Sequence, residues 1–232
     1  MFSPADILDL SETEHAELFP AGQPVWSALS DIGGYLERLL ERIDGPLVRG
    51  EVHESAFVGP RVHVAPGATI EPHAVVKGPA WIGPGTVVRS GAYLRENVIA
   101  GSDCVLGNSS EFKNCLLFND CEAPHFNYVG DSILGHRAHL GAGVICSNVR
   151  LDRARVKIRT IEGSTDTGLR KFGAVVGDRT EIGCNAVLSP GSILGRDCIV
   201  YPGTHWAGVL GNTQIVKNRQ EQNVVRRHLT EE

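Results

Sequence analysis

Aliphatic or small residues recur at every sixth position of this chain: Val52, Val58, Val64, Ile70, Val76, Ile82, Val88, Leu94, Ala100, Leu106, Phe112, Phe118 and Pro124. A second column is mostly small: Ala56, Val62, Ala68, Ala74, Ala80, Thr86, Ala92, Val98, Cys104 and Ser110. Gly or Pro often lies between the two, as in Val64-Ala-Pro-Gly67 and Ile82-Gly-Pro-Gly85. A period of six fits neither the roughly 3.6 of a helix nor the roughly 2 of a strand. Sustained over about thirteen units, it predicts hexapeptide repeats that wind a parallel β-helix, three hexads to a coil of about eighteen residues. The first column points inward. The second sits near a corner, where little room is left, and Gly and Asn take the tight turns.

Residues 1–46 carry no hexads. Ser3-Pro4 reads as a helix start. Pro24 to Ile43 predicts an amphipathic helix with Trp26, Leu29, Ile32, Leu36, Leu39, Leu40 and Ile43 on one face and Glu37, Arg38, Glu41 and Arg42 on the other. A solenoid end exposes apolar cross-section and unpaired strand edges, so residues 1–46 are expected to cap it. Asp44-Gly45-Pro46 breaks the helix, and the β-helix is expected over 47–207. The hexads run to Val129, shift register at Gly130-Asp131-Ser132, restart at Leu134 and Leu140, and lapse from Asn148 to about Gly173. That stretch is polar, with Arg150, Asp152, Arg153, Arg155, Lys157, Arg159 and Glu162, and predicts a loop over 149–173. Hexads resume at Val176, Ile182, Leu188, Leu194 and Val200; 134 and 176 differ by 42, seven hexads, so phase is recovered. Residues 208–232 form a charged tail with a short helix expected from Gln220 to Leu229, lying against a neighbouring subunit.

Composition refines this little. Aromatics make up 6%, as a narrow coil requires, and a formal charge of −5 argues against nucleic acid as a partner. No stretch approaches eighteen apolar residues and no basic-then-apolar leader opens the sequence, so a soluble cytoplasmic protein without a membrane partner is expected. The six Cys form no C-x-x-C pair and read as small buried thiols in a reducing compartment.

No P-loop, GxSxG or dinucleotide fingerprint is present, so chemistry is expected where polar residues interrupt the hexads. They are densest from Ser109 to Asn148: Glu111, Lys113, Asn114, Glu122, His125, Asn127, Tyr128, Asp131, His136, His139 and Asn148. Two segments here, Ala123-Pro-His-Phe-Asn-Tyr-Val-Gly-Asp-Ser-Ile-Leu-Gly135 and Leu140-Gly-Ala-Gly-Val-Ile-Cys-Ser-Asn148, resemble the acetyltransferase domain of the bifunctional glucosamine-1-phosphate acetyltransferase/N-acetylglucosamine-1-phosphate uridyltransferase family. The resemblance covers roughly Gly83 to Gly203. It implies an all-β solenoid with a left-handed coil, acetyl-CoA as acyl donor, a small-molecule sugar phosphate as acceptor and sites between subunits of a homotrimer. It assigns His125 as catalytic base, Arg89, Lys113, Tyr128, His139 and Asn148 to the sugar phosphate, and Lys171, Cys184 and Pro202 to the coenzyme. His139 stands where the family has an Asn, Cys184 where it has a Ser, and about eleven extra residues precede Lys171. The uridyltransferase domain is expected to be absent, which leaves a separate nucleotidyltransferase open as a partner.

The residues alone support the same chemistry. An amine or hydroxyl attacking a thioester must lose a proton, and neutral His is the suitable base near pH 7. Arg89 and Lys113 supply charge and donors for a phosphate. Two alternatives stand beside this. One is a non-catalytic hexapeptide module that binds a sugar phosphate or nucleotide sugar, or serves as a regulatory or assembly subunit. The other is a zinc enzyme of the γ-carbonic anhydrase type, which needs three converging His. His53, His63 and His73 occupy different hexad columns, and His136 and His139 have no evident third partner, so the set assigns no metal ligand.

Overall fold

The computed structural model describes residues 2–160, 163–219 and 222–228. The hexads wind a left-handed parallel β-helix of about nine turns. Short strands stack into three sheets. The first face has nine strands, from Glu51–Val52 to Ile215–Val216; the second has eight, from Phe57–Val58 to His205–Trp206; the third has eight, from Val62–Val64 to Val209–Leu210. The solenoid therefore runs past position 207, where it was expected to end. The inward column behaves as predicted from Val64 to Phe112, every member being buried.

The phase is lost earlier than the sequence suggests. Coils repeat at 18 residues up to Tyr93↔Glu111, then at 17 for Val98↔Cys115 and Val105↔Glu122. One residue is missing from the corner after Phe112. Leu117 and Ala123 therefore fill the inward column where Phe118 and Pro124 were expected, since Ala100 pairs with Leu117 and Leu106 with Ala123. The second shortening falls at Gly130–Ser132 as predicted, and the offset of 42 is confirmed by Leu134↔Val176. Corners take left-handed backbone at Asn97, Asn114, Asp131 and Asn185 (φ 62°, 47°, 46° and 56°), residue types that tolerate it.

The N-terminal segment does not close an end of the solenoid; it lies along the third face. Its helices are α1 (Pro4–Ile7) and α2 (Ala28–Glu41); Pro24 is extended, and the longer helix begins later than predicted. The reason is the outward column of that face, His63, Trp81, Ile99, Leu116, Ile133, Val175 and Ile193, which is apolar or aromatic. Ile99, Leu116, Ile133 and Val175 are fully buried on the outside of the coil, as are Ile32 and Leu36 on the segment, each worth about 1.5–3 kcal/mol. Phe19 packs on Phe118 and Trp26 on Phe172. Asp178 clamps the contact, accepting the Asp9 N–H at 2.7 Å and the His136 N–H at 2.9 Å beside the Arg196 guanidinium at 3.2 Å.

The expected loop is an arm with structure of its own. Lys157–Thr160 and Gly163–Asp166 pair as an antiparallel hairpin, and Val156, Ile158 and Phe172 are buried; Ile161 and Glu162 lie outside the described residues. At the other end, residues 222–228 take neither helix nor strand and Val224 and Val225 are exposed, so the helix expected near Gln220 to Leu229 is not formed in its described part.

Under the N-terminal segment, Trp81 is flanked by His15 and His63, with ring centroids at 5.4 and 4.0 Å. His15 Nδ1 lies 3.0 Å from the Tyr35 hydroxyl, while His15 Nε2 and His63 Nδ1 are buried without a hydrogen-bond partner. Burial, then the charge of His63, depresses His15 from 6.5 to about 4. His15 is thus neutral when the segment is docked, and unfolding or undocking lets it take up a proton. Stability is complete above pH 6.5 and falls as pH drops toward 4, by on the order of 2–3 kcal/mol. Thermal unfolding followed across this window shows that loss in the wild type and a flatter profile for His15→Phe; equal slopes in both would refute the assignment.

Candidate active site

Polar side chains gather on two of the three ridges. The ridge between the second and third faces carries a ladder created by the shortened repeat. Asn97, Asn114, Asp131 and Asn148 are each 17 residues apart and occupy successive coils. Asn97 Nδ2 donates to Asn114 Oδ1 (3.3 Å), and Asn114 Nδ2 donates to Asp131 Oδ1 and to the Leu29 carbonyl (both 3.1 Å). Asn148 Nδ2 donates to Asp131 Oδ2 from the other side. Lys113 Nζ reaches the same carboxylate at 3.2 and 3.4 Å. Three side chains thus converge on a nearly buried Asp131, and the Lys113 side chain is itself only 13% exposed.

Tyr128 stands outward on the second face beside this cluster. Burial pushes its hydroxyl up from the ordinary value, against a hydrogen bond with Asn148 that lowers it. Lys113, Tyr128 and Asn148, three of the five residues expected to meet the sugar phosphate, therefore come together. Lys171 is exposed where the arm rejoins this ridge: the Phe172 N–H donates to the Asn148 carbonyl. It is not beside the other expected coenzyme residues.

The ridge between the first and second faces carries Arg89, His125, Cys184 and Pro202. Backbone contacts fix their order. Asn108 Nδ2 donates to the carbonyl of Ser90, next to Arg89, and Asn108 pairs with His125. The Gly143 N–H donates to the His125 carbonyl, the Asn185 N–H to that of Ala142, and the Gly203 N–H to that of Cys184. With about 4.8 Å per coil, Arg89 lies two coils before His125 and Cys184 two coils after. The His125 side chain is exposed, while its N–H donates to Asn127 Oδ1 (3.0 Å), and Asn127 is anchored through Nδ2 on the Gly141 carbonyl (2.8 Å). The turn under the imidazole is therefore rigid.

Beside Cys184 and Pro202 lies a groove of about 300 Å³ on the first face, lined also by His139, Glu181, Ile199 and Tyr201. Its walls are largely apolar. His139 Nδ1 sits 2.7 Å from Glu181 Oε2, which groups His139 with the expected coenzyme residues and apart from Lys113, Tyr128 and Asn148. Glu181 and Asp131 are the participants whose roles the sequence reading did not find. The offset of 42 that restored phase across the arm places Glu181 opposite His139, and a spacing of 17 reveals the ladder. His53 bonds Ser55 and His63 is buried under the N-terminal segment. Among the described residues, no three His, Cys, Asp or Glu side chains are placed to hold a metal ion.

Short strands wound left-handed in hexads define a hexapeptide-repeat β-helix protein. In sequence it is similar to the "Bifunctional protein GlmU" of Methanococcus vannielii, 33% identical over 186 residues, which cover 77% of this chain and 43% of that protein. It is also 33% identical over 112 residues to the "Bifunctional sugar-1-phosphate nucleotidylyltransferase/acetyltransferase" of Sulfurisphaera tokodaii, covering 48% of this chain and 28% of the relative. These similarities bear out the resemblance drawn from the motifs, and the chain spans less than half the length of either relative. No family model matches it. Among solved structures, the UDP-N-acetylglucosamine acyltransferase of Francisella novicida superposes with a TM-score of 0.53 at 12% identity, covering 75% of this chain and 60% of that one, a likeness of fold.

The Asp131 cluster makes a stability prediction. Asp131→Ala leaves a largely buried Lys113 ammonium and two amide donors without their acceptor. The expected cost is about 3 kcal/mol, measured as a fall in the denaturant midpoint with an unchanged slope. A change under about 0.5 kcal/mol would mean the cluster is solvated.

Proposed function

We propose that the protein is an acyltransferase that moves an acetyl group from acetyl-CoA to a sugar phosphate or nucleotide sugar, with His125 as general base. The observation that carries the reading is the gathering of Lys113, Tyr128 and Asn148 around Asp131 on a solenoid that needs no buried polar cluster for its own winding. The similarity to a protein named as a bifunctional sugar-1-phosphate nucleotidylyltransferase/acetyltransferase supports it.

In this reading His125 takes the proton from the attacking amine or hydroxyl, its ring presented by the Asn127-pinned turn. Arg89 and Lys113 meet the phosphate, and Asp131 holds Lys113 in place rather than leaving it mobile. Tyr128 and Asn148 offer hydroxyl and amide contacts to the sugar. The apolar groove beside Cys184 and Pro202 suits the thin, largely apolar arm of a coenzyme thioester. His139, oriented by Glu181, borders that groove. Lys171, on the Asn148 ridge, meets a coenzyme in that groove only from a neighbouring copy.

The two ridges bracket the second face, about six residues or 15–20 Å wide at roughly 3.3 Å per residue. A site that uses both Lys113 and His125 on one small acceptor is therefore assembled between copies, one ridge from each. A homotrimer satisfies this with three equivalent, closed interfaces. Five buried free thiols suit a reducing compartment, and we assign the protein to the cytoplasm.

Two observations favour the non-catalytic alternative. Lys113 is already neutralised, and among the described residues no side chain hydrogen-bonds the His125 ring. Turnover separates the two readings. Thiol release from acetyl-CoA with glucosamine-1-phosphate and a panel of amino- and hydroxy-sugar phosphates is expected in the wild type and reduced about 10²–10⁴-fold in His125→Ala. Sugar-phosphate binding without turnover on any acceptor would overturn the enzyme reading.

A further inference from the structure

The arm between the second and third faces carries cations that the reading above does not use. It lies against later coils through buried Val156 and Ile158, at two glycines where side chains would collide with it. A Cβ on Gly191 would fall 2.8 Å from Val156 Cγ1, and one on Gly208 3.1 Å from the Arg159 carbonyl oxygen. Lys157 and Arg159 alternate with Ile158 and so share one face of the hairpin. With Arg150 they border a cavity of about 210 Å³, whose other wall is Ser189 to Gly191 and Ala207–Gly208. Among the described residues, no acidic side chain lines it.

Among the described residues, the carboxylates of the arm have hydrogen-bond partners of their own. Asp152 is paired with Arg150 (Nε–Oδ1 2.9 Å). Asp166, across the hairpin from Lys157, accepts the Gly168 N–H (2.9 Å). Among the described residues, Lys157 and Arg159 have no carboxylate within ion-pair distance. Lys157 and Arg159 thus present two cations to a glycine-containing wall, an arrangement that attracts an anion.

We propose that this cavity is a phosphate-binding site, taking a phosphomonoester or diphosphate group between Lys157, Arg159 and the coil wall. Ligand pockets usually measure about 300–1,000 Å³; this one accommodates the phosphate of a larger molecule or a small free phosphate compound, not a whole nucleotide. The group can come from the phosphorylated end of the acyl donor or from a separate phosphorylated effector. Arg and Lys at alternate strand positions supply the charge-assisted donors for either.

Trp206 provides the readout, because its Nε1 donates to the carbonyl of Gly208, in the cavity wall (3.3 Å). Inorganic pyrophosphate, titrated at constant ionic strength, is expected to change Trp fluorescence saturably in the wild type. The same change is expected to need at least about tenfold more pyrophosphate in Lys157→Ala/Arg159→Ala and to persist in Lys157→Arg/Arg159→Lys. Both side chains are exposed, so these variants are expected to keep the wild-type melting temperature. Competition between pyrophosphate and acetyl-CoA would identify the donor as the source of the phosphate; saturable binding without competition would identify an effector. No saturation, or identical titrations for wild type and the alanine variant, would overturn the proposal. Binding is read without turnover, so this result stands apart from the acetyltransfer reading.

Discussion

The interior of this β-helix admits a single inward side chain from each strand of each coil, and every other feature is placed by that stack. Val64, Ile82, Ala100, Leu117, Leu134 and Val176 lie one above another on the third face, held in parallel register at each step. A strand cannot slip by one residue without turning its aliphatic side chain out. Variation is therefore confined to corners, which shorten, lengthen or throw out an arm without disturbing the stack. The shortened corners after Phe112 and at Gly130–Ser132 are such changes, and they move the repeat from 18 to 17 where polar residues are densest.

That shortening joins fold to site. It brings Asn97, Asn114, Asp131 and Asn148 into line, so the amides and the carboxylate bond in succession along one ridge. The same ladder supports the N-terminal segment through the Leu29 carbonyl. Lys113 is held from beneath by Asp131, its position set by the solenoid rather than by rotamer freedom, a property suited to recognising a phosphate and costly to a residue with no role. His125 stands on a different ridge above a pinned Asn127, next in order to the apolar groove beside Cys184 and Pro202.

Much of this was legible in the hexad columns, because a period of six reports the interior directly. The recovery of phase by 42 residues was readable from Leu134 and Val176 alone. The missing residue after Phe112 was hidden because Phe118 and Pro124 are themselves apolar and fit the expected column; only strand pairing shows Leu117 and Ala123 there. The seat of the N-terminal segment was written in Ile99, Leu116, Ile133 and Val175, which are apolar at outward positions, but a once-per-coil signal is invisible when read hexad by hexad. Glu181 escaped because its partner His139 lies across the arm. The packing of the arm depends on Gly191 and Gly208, whose lack of a side chain says nothing in sequence about what approaches them.

The central claim is that Lys113 and His125 act on one acceptor from different copies of the chain. Mixing two inactive variants tests it most directly. His125→Ala and Lys113→Gln are unfolded together, refolded in equal amounts and assayed for acetyl transfer. Random assembly gives about one quarter of interfaces with an intact ridge from each side, and activity returns to about that fraction of wild type. If the mixture stays as inactive as its parents while refolded wild type recovers and mixed oligomers are present, the two residues serve one chain's own site and the account is contradicted.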